Sequence, residues 1–231
     1  MLSVAKGRGH KPAKIANIIP NIENKENYQF SLERNAYDFG SYYTPSFSAD
    51  MGNWNAELSV QNLLLSGSNA GAATYLNLSY TYPLYKYFAL SAGTMNGTVL
   101  TGITIQSFNY VSAVFILPEW GVAMSIGPYY ANSQLSGIVT AQNVSVSSIG
   151  LVTGLGYLHD NWSVNASYIS GYSNVGGLNM DVGYKMGLIT PYIGWGLSTP
   201  APIQNVDDSG IISMEKSPIF YFYSLGLKAN F

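Results

Sequence analysis

From about Tyr28 to the C-terminus, apolar and polar residues alternate with period two, and helical periodicity is almost absent. Successive side chains of a β-strand point to opposite faces, so the alternation predicts strands with one apolar and one polar side. In the stretch Asn53 to Leu65, Trp54, Ala56, Leu58, Val60 and Leu64 share one face, while Asn55, Glu57, Ser59 and Gln61 share the other. From Thr74 to Tyr82, Leu76, Leu78, Tyr80 and Tyr82 oppose Tyr75, Asn77, Ser79 and Thr81. Trp162, Val164, Ala166 and Tyr168 oppose Ser163, Asn165 and Ser167; Leu178, Met180, Val182, Tyr184 and Met186 oppose Asn179, Asp181, Gly183 and Lys185. The pattern reads as all-β. Soluble sandwiches and membrane barrels share it.

Clusters of Gly, Pro, Asn and Asp divide this region into twelve segments, with ten to fourteen compatible. They lie near 28–35, 40–49, 53–65, 72–82, 85–95, 100–117, 120–131, 144–158, 161–171, 176–186, 188–198 and 218–231. Most reach the roughly 9–11 residues a tilted strand needs to cross a bilayer. Soluble strands average about 5–6. One alternate set of connections is tight: Ala49 to Asn53, Pro83 to Tyr85, Pro118 to Glu119, His159 to Asp160, and Gly187. The other set holds longer loops, Ser66 to Gly71, Ala131 to Asn143 and Ser198 to Ser217, with Asn96-Gly97 reading as a two-residue hairpin turn among them. Short turns at one end and long loops at the other match a transmembrane up-and-down barrel. An even strand number then puts both termini at the short-turn end.

Composition separates membrane from water. Charged residues are only 10% of the chain, against roughly 25% in soluble proteins. Hydrophobic residues reach 47% and aromatics 14%, yet mean hydropathy is just +0.10 because Asn, Ser, Thr and Gly are interspersed. No apolar run approaches the roughly 18 residues of a membrane helix. Residues 1–50 carry six of the ten Lys/Arg and five of the twelve Asp/Glu, which leaves the body nearly uncharged. Residues 1–27 read as a polar, basic tail, flexible or partly inserted in the lumen, and 28–231 as the barrel. A net charge of −2 excludes nucleic acid as a partner, and Lys6, Arg8, His10, Lys11 and Lys14 read as solvated. No signal peptide is visible in 1–27, where Asn17, Pro20 and Asn21 interrupt the one apolar stretch. With no cysteine, disulfides and thiolate metal sites are excluded.

The final segment runs Ile219-Phe220-Tyr221-Phe222-Tyr223-Ser224-Leu225-Gly226-Leu227-Lys228-Ala229-Asn230-Phe231. It resembles the C-terminal signature of bacterial outer-membrane β-barrel proteins, which end in an aromatic preceded by apolar residues at every second position. Phe231, Ala229, Leu227, Leu225, Tyr223 and Tyr221 fill that face. The resemblance implies outer-membrane localisation, contact with outer-membrane lipid, and reading of this strand by the barrel-assembly machinery. Twelve-stranded oligosaccharide-specific channels are similar in size but carry an arginine-rich lumen. This chain has no Arg after Arg34, which argues against anionic sugars.

In such a barrel, Trp54, Tyr80, Tyr82, Trp120, Tyr157, Trp162 and Trp195 are expected to form interfacial girdles. The predicted lumen lining is Asn55, Glu57, Ser59, Gln61, Asn77, Ser79, Gln106, Ser163, Asn165, Asn179, Asp181, Lys185 and Lys228. Few charges among many amides and hydroxyls predict weak charge selectivity and passage of small polar solutes. Asp181 and Lys185 share a face and predict a structural salt bridge through a neighbouring strand. The interior is expected to be narrow, and side chains or the tail could plug it.

Catalysis finds little support. His159-Asp160 falls in a short turn and Asp207-Asp208 in a long loop at the opposite end, a strand length apart and beyond hydrogen-bond reach. No metal-ligand spacing, G-x-G-x-x-G or P-loop occurs, so no enzyme, cofactor or metal is expected. The expected function is a porin-like passive channel, with a homo-oligomer compatible. Two alternatives stay open: a non-conducting structural or adhesive barrel, and a non-membrane β-sandwich subunit of a filament, surface layer or capsid.

Overall fold

A computed structural model describes residues 26–37, 40–61, 72–99, 103–136, 143–170, 177–198, 203–206, 212–215 and 219–231. The basic tail and the long loops expected from the sequence lie largely outside these residues. The strands are β1 (Asn27–Tyr37), β2 (Gly40–Met51), β3 (Trp54–Gln61), β4 (Ala73–Tyr85), β5 (Phe88–Val99), β6 (Ile103–Leu117) and β7 (Val122–Ser136). They continue with β8 (Asn143–His159), β9 (Trp162–Ile169), β10 (Gly177–Tyr184), β11 (Ile189–Ser198), β12 (Ile203–Val206), β13 (Ile212–Glu215) and β14 (Phe220–Asn230).

Twelve of these strands form one closed ring, each antiparallel to its neighbours, with β14 docked between β11 and β1. Closure runs through nine register pairs, from Gln29 opposite Asn230 to Tyr37 opposite Phe222. A closed ring pairs the backbone groups between strands and leaves no sheet edge, the condition for β-structure in hydrocarbon. It also rules out a sandwich. β12 and β13 pair only with each other, as a hairpin inside the β11–β14 connection. The sequence pattern left that span as loop, because four-residue strands are too short to show a period.

The two faces sort as the alternation predicts. Leu225 is 60% exposed and its neighbour Ser224 only 6%. Leu58, Leu76, Leu78, Ile126, Leu151 and Ile193 are exposed, while Asn55, Ser59, Asn77, Ser79, Ser91 and Ser125 are buried. A water-soluble protein distributes these residue types the other way. A predominantly apolar exterior of this extent is a surface for lipid.

At the short-turn end the connections are brief. Lys86 and Tyr87 join β4 to β5, Pro118–Trp120 form a turn of 3-10 helix between β6 and β7, and Asp160-Asn161 join β8 to β9. Lys86 Nζ lies 3.0 Å from Glu119 Oε1, and the Tyr87 hydroxyl donates to the same oxygen at 2.9 Å. These contacts tie two turns together. The hydrogen bond from Lys86 leads in pushing the Glu119 carboxyl down to about 2, while Tyr87 first and Glu119 second raise the Lys86 ammonium above its ordinary range. Gly121 closes the 3-10 turn at φ 63, and a Cβ there would collide with the Leu158 carbonyl.

Asn96-Gly97 is not a turn. Both residues lie inside β5, which stays paired with β4 as far as Ala73 opposite Val99. The Asn-Gly preference is local, and the long ladders on both sides override it. Gly97 is there for packing: the ring of Tyr75, its partner across β4, fills the space a Cβ would need. The same joint recurs for Tyr110 over Gly93, Tyr192 over Gly226 and Phe222 over Gly196, each a direct cross-strand pair. Gly226→Val should drive the Tyr192 ring from its seat and destabilise the barrel by about 1–3 kcal/mol. Urea unfolding, followed by the gel shift between folded and heated protein, checks this; an unchanged midpoint contradicts the joint.

Candidate functional site

The candidate site is the inner wall, and it has two unlike sides. On β4 to β9, inward-pointing Ala73, Tyr75, Met95, Phe108, Tyr110, Tyr129, Ala131, Val152 and Ile169 form one buried cluster. Phe108 stacks on Tyr129 at 4.8 Å between ring centres. The Tyr129 hydroxyl also bonds to the Ser170 carbonyl, which anchors the cluster to the strand end beyond β9. A smaller cluster of Tyr37, Tyr42 and Phe222 packs where β1, β2 and β14 approach the long-loop end. Apart from Tyr75, which the alternation sets on the polar face, these rings were missed in the sequence reading, which placed its aromatic girdle on the lipid side alone. Period two does assign them to the polar set; aromatic chemistry by itself does not reveal the side.

The other side runs through β9, β10, β11, β14, β1, β2 and β3. Here Gln29, Ser31, Thr44, Ser46, Asp50, Glu57, Ser163, Asn165 and Lys228 point inward and keep partial solvent contact. The partly solvated inward residues follow this polar strip, and the aromatic cluster lines the opposite wall.

Of the predicted lining residues, Asn55, Gln61, Asn77, Asn179 and Asp181 are buried on inward positions, and Glu57, Asn165 and Lys228 are inward and half-buried. Asn165 Nδ2 donates to Asp181 Oδ1 at 2.9 Å, and Asn55 Nδ2 to Asp50 Oδ1 at 2.6 Å. Lys185 behaves differently. It lies one residue past β10, exposed at the short-turn rim, with its backbone N–H bonded to the Asn161 carbonyl. Lys185 keeps the period-two spacing from Asp181 but stands past the end of β10, at the mouth of the barrel and away from the buried Asp181. Gln106 sits in β6 opposite Gly97, with its side chain outside the described residues.

Two acidic residues missing from the sequence reading join the strip. Glu33 is buried on β1, and Asp50 faces inward on β2. Their period-two spacing with Ser31 and Asn35, and with Ser46 and Ser48, was the available signal. Tyr192 was also missed. From β11 its ring spans Gly226 on β14, and its hydroxyl donates to Glu33 Oε2 at 2.7 Å. Lys228 Nζ lies 4.9 Å from the centre of the same ring. Asp181 on β10 and Glu57 on β3 face the same interior from strands that four others separate.

The exterior residues place as follows. Trp54 packs on Tyr80 at 4.7 Å and Trp162 on Tyr184 at 4.9 Å; with Tyr82, Trp120 and Tyr157 they ring the short-turn end. Trp195 stacks on Tyr221 in the other half of the wall. Tyr221, Tyr223, Leu225, Leu227 and Phe231 all point outward. His159 Nε2 and Asp160 Oδ2 are 3.5 Å apart and exposed in their turn, whereas Asp207-Asp208 lies outside the described residues. Among the described residues no group of three potential metal ligands comes together.

Solved structures share this architecture. The KdgM porin in complex with disordered oligogalacturonate superposes with a TM-score of 0.57 at 13% identity, covering 88% of this chain and 99% of that one. The NanC porin gives 0.56 at 13% identity, with 87% and 98% covered. The chain shares the twelve-stranded barrel fold of these outer-membrane proteins. No family model and no curated protein matches the sequence. At this identity the likeness is one of fold, so the lining of this barrel has to be read from its own residues.

The Tyr192–Glu33 bond should hold β11 to β1 across β14. Tyr192→Phe removes the donor and should cost about 1–2 kcal/mol in urea unfolding while the folded barrel still forms. An unchanged midpoint would show that the bond contributes nothing to closure.

Proposed function

We propose that the chain is a porin-like passive channel of the bacterial outer membrane, carrying small polar solutes along the inner strip and catalysing no reaction. The observation that carries this reading is the sorting of faces in a closed ring. Apolar residues meet lipid while amides, hydroxyls and carboxylates are turned inward. An adhesive or structural barrel needs the first of these, but has no need of a partly solvated polar strip. The outward Tyr221, Tyr223, Leu225, Leu227 and Phe231 support assembly by the outer-membrane barrel machinery, which reads such a strand.

Twelve strands enclose a modest interior, and rings occupy one side of it. The channel is therefore narrow. One fold neighbour is described with oligogalacturonate, a polyanion. This wall presents Lys228 as the one inward-pointing strand cation among the described residues, which gives such a ligand little to hold.

Refolded protein in planar bilayers should give small, ohmic conductance steps, and liposomes holding it should swell in small neutral polar solutes but not in larger oligosaccharides. Protein that shows the heat-modifiable gel shift of a folded barrel, yet neither conducts nor admits solutes, would falsify the channel reading.

A further inference from the structure

We propose that the inner strip narrows at a carboxylate-lined passage that selects cations, passing small inorganic cations and ammonium-bearing solutes while rejecting anions. The inference deepens the channel reading and rests on it. Charge is the first support. Among the described residues, Glu33, Asp50, Glu57 and Asp181 occupy inward strand positions against the single cation Lys228. The sequence reading paired two acids with two bases in the lumen. Moving Lys185 to the rim and adding Glu33 and Asp50 breaks that balance. Arg34 does not restore it, since it points outward and bonds to Ser41 Oγ at 3.1 Å.

The second support is independent of charge. Asn55 and Asn179 each sit two residues from a carboxylate on the same inward face, beside Glu57 and Asp181. Asn77 stands directly across from Glu57 in β4, and Gln61 lies further along β3. All four residues are more than nine-tenths buried. The amide oxygen of each has no hydrogen-bond partner among the described residues. Buried amide oxygens without partners are costly unless a donor or cation visits them. Among these four side chains the atoms without partners are four oxygens and one N–H donor, Asn77 Nδ2, so acceptors predominate and the set favours a cation or an N–H donor over an anion.

Geometry places the selective step. Glu33 accepts from the Tyr192 hydroxyl at 2.7 Å, and Asp181 on β10 and Glu57 on β3 face the same interior from either side of β11, β14, β1 and β2. Lys228 lies against the ring face with its charge partly offset by the π-system. A solute on the polar strip passes within the field of three carboxylates. In a narrow, low-dielectric passage such a field concentrates counter-ions about tenfold or more.

The test is the reversal potential of the full-length protein in planar bilayers under a KCl gradient. K+ should permeate about tenfold better than Cl− at low salt, with the preference shrinking as salt screens the wall. The double variant Glu57→Gln/Asp181→Asn keeps the side-chain shapes and should bring the ratio near one; Lys228→Gln should raise it. The gel shift confirms that each variant has folded. A conducting barrel that prefers Cl− or shows no preference overturns the cation passage and leaves the channel reading intact, as does a ratio unmoved in the double variant. Folded protein without conductance overturns both.

Discussion

A peptide chain in hydrocarbon must satisfy its own backbone hydrogen bonds, and this constraint organises everything else in the barrel. Helices cannot supply the solution here, because no apolar run is long enough. The remaining one is a sheet whose last strand returns to its first. The nine pairs between β1 and β14 are therefore the closing contact of the fold. Once the ring shuts, each residue has only two directions to point. Period two then becomes a partition between lipid and lumen.

The partition explains the composition. Charges are scarce because most of the surface faces lipid, where a charge is expensive. The charges that do occur in the strands can be retained at inward positions, as Glu33, Asp50, Glu57, Asp181 and Lys228 are. Inward aromatic rings follow from the same geometry. A twelve-stranded ring encloses more volume than serines can fill, so Tyr75, Phe108, Tyr110 and Tyr129 fill one side. Glycines at the positions facing Tyr75, Tyr110 and Tyr129 let those three rings lie on the neighbouring strand. What stays open to solvent is the strip where polar residues were not covered.

Strand number, alternation and the two-ended turn asymmetry were legible in the sequence because each is a local pattern repeated many times. Asn55, Asn77, Asn179 and Asp181 could be placed inward for that reason. Errors arose where local preference met a non-local constraint. Asn96-Gly97 has turn chemistry but sits in a ladder fixed by β4 and β6. Lys185 continues an alternation that the strand itself does not. Tyr192 has the same residue type as the lipid-facing tyrosines, and only its parity with Gly194 and Gly196 assigns it to the lumen. The β12–β13 hairpin is too short to leave a periodic trace.

The central claim is that alternate residues face lipid and lumen, and the absence of cysteine makes it directly measurable. Single cysteines along β4 at positions 76 through 80 can carry spin labels in the reconstituted barrel. Labels at Leu76, Leu78 and Tyr80 should be accessible to membrane-dissolved oxygen and shielded from a water-soluble nickel chelate, while those at Asn77 and Ser79 should show low oxygen access. Oxygen access at Asn77 and Ser79 exceeding that at their neighbours, or a flat profile along the strand, would contradict the account.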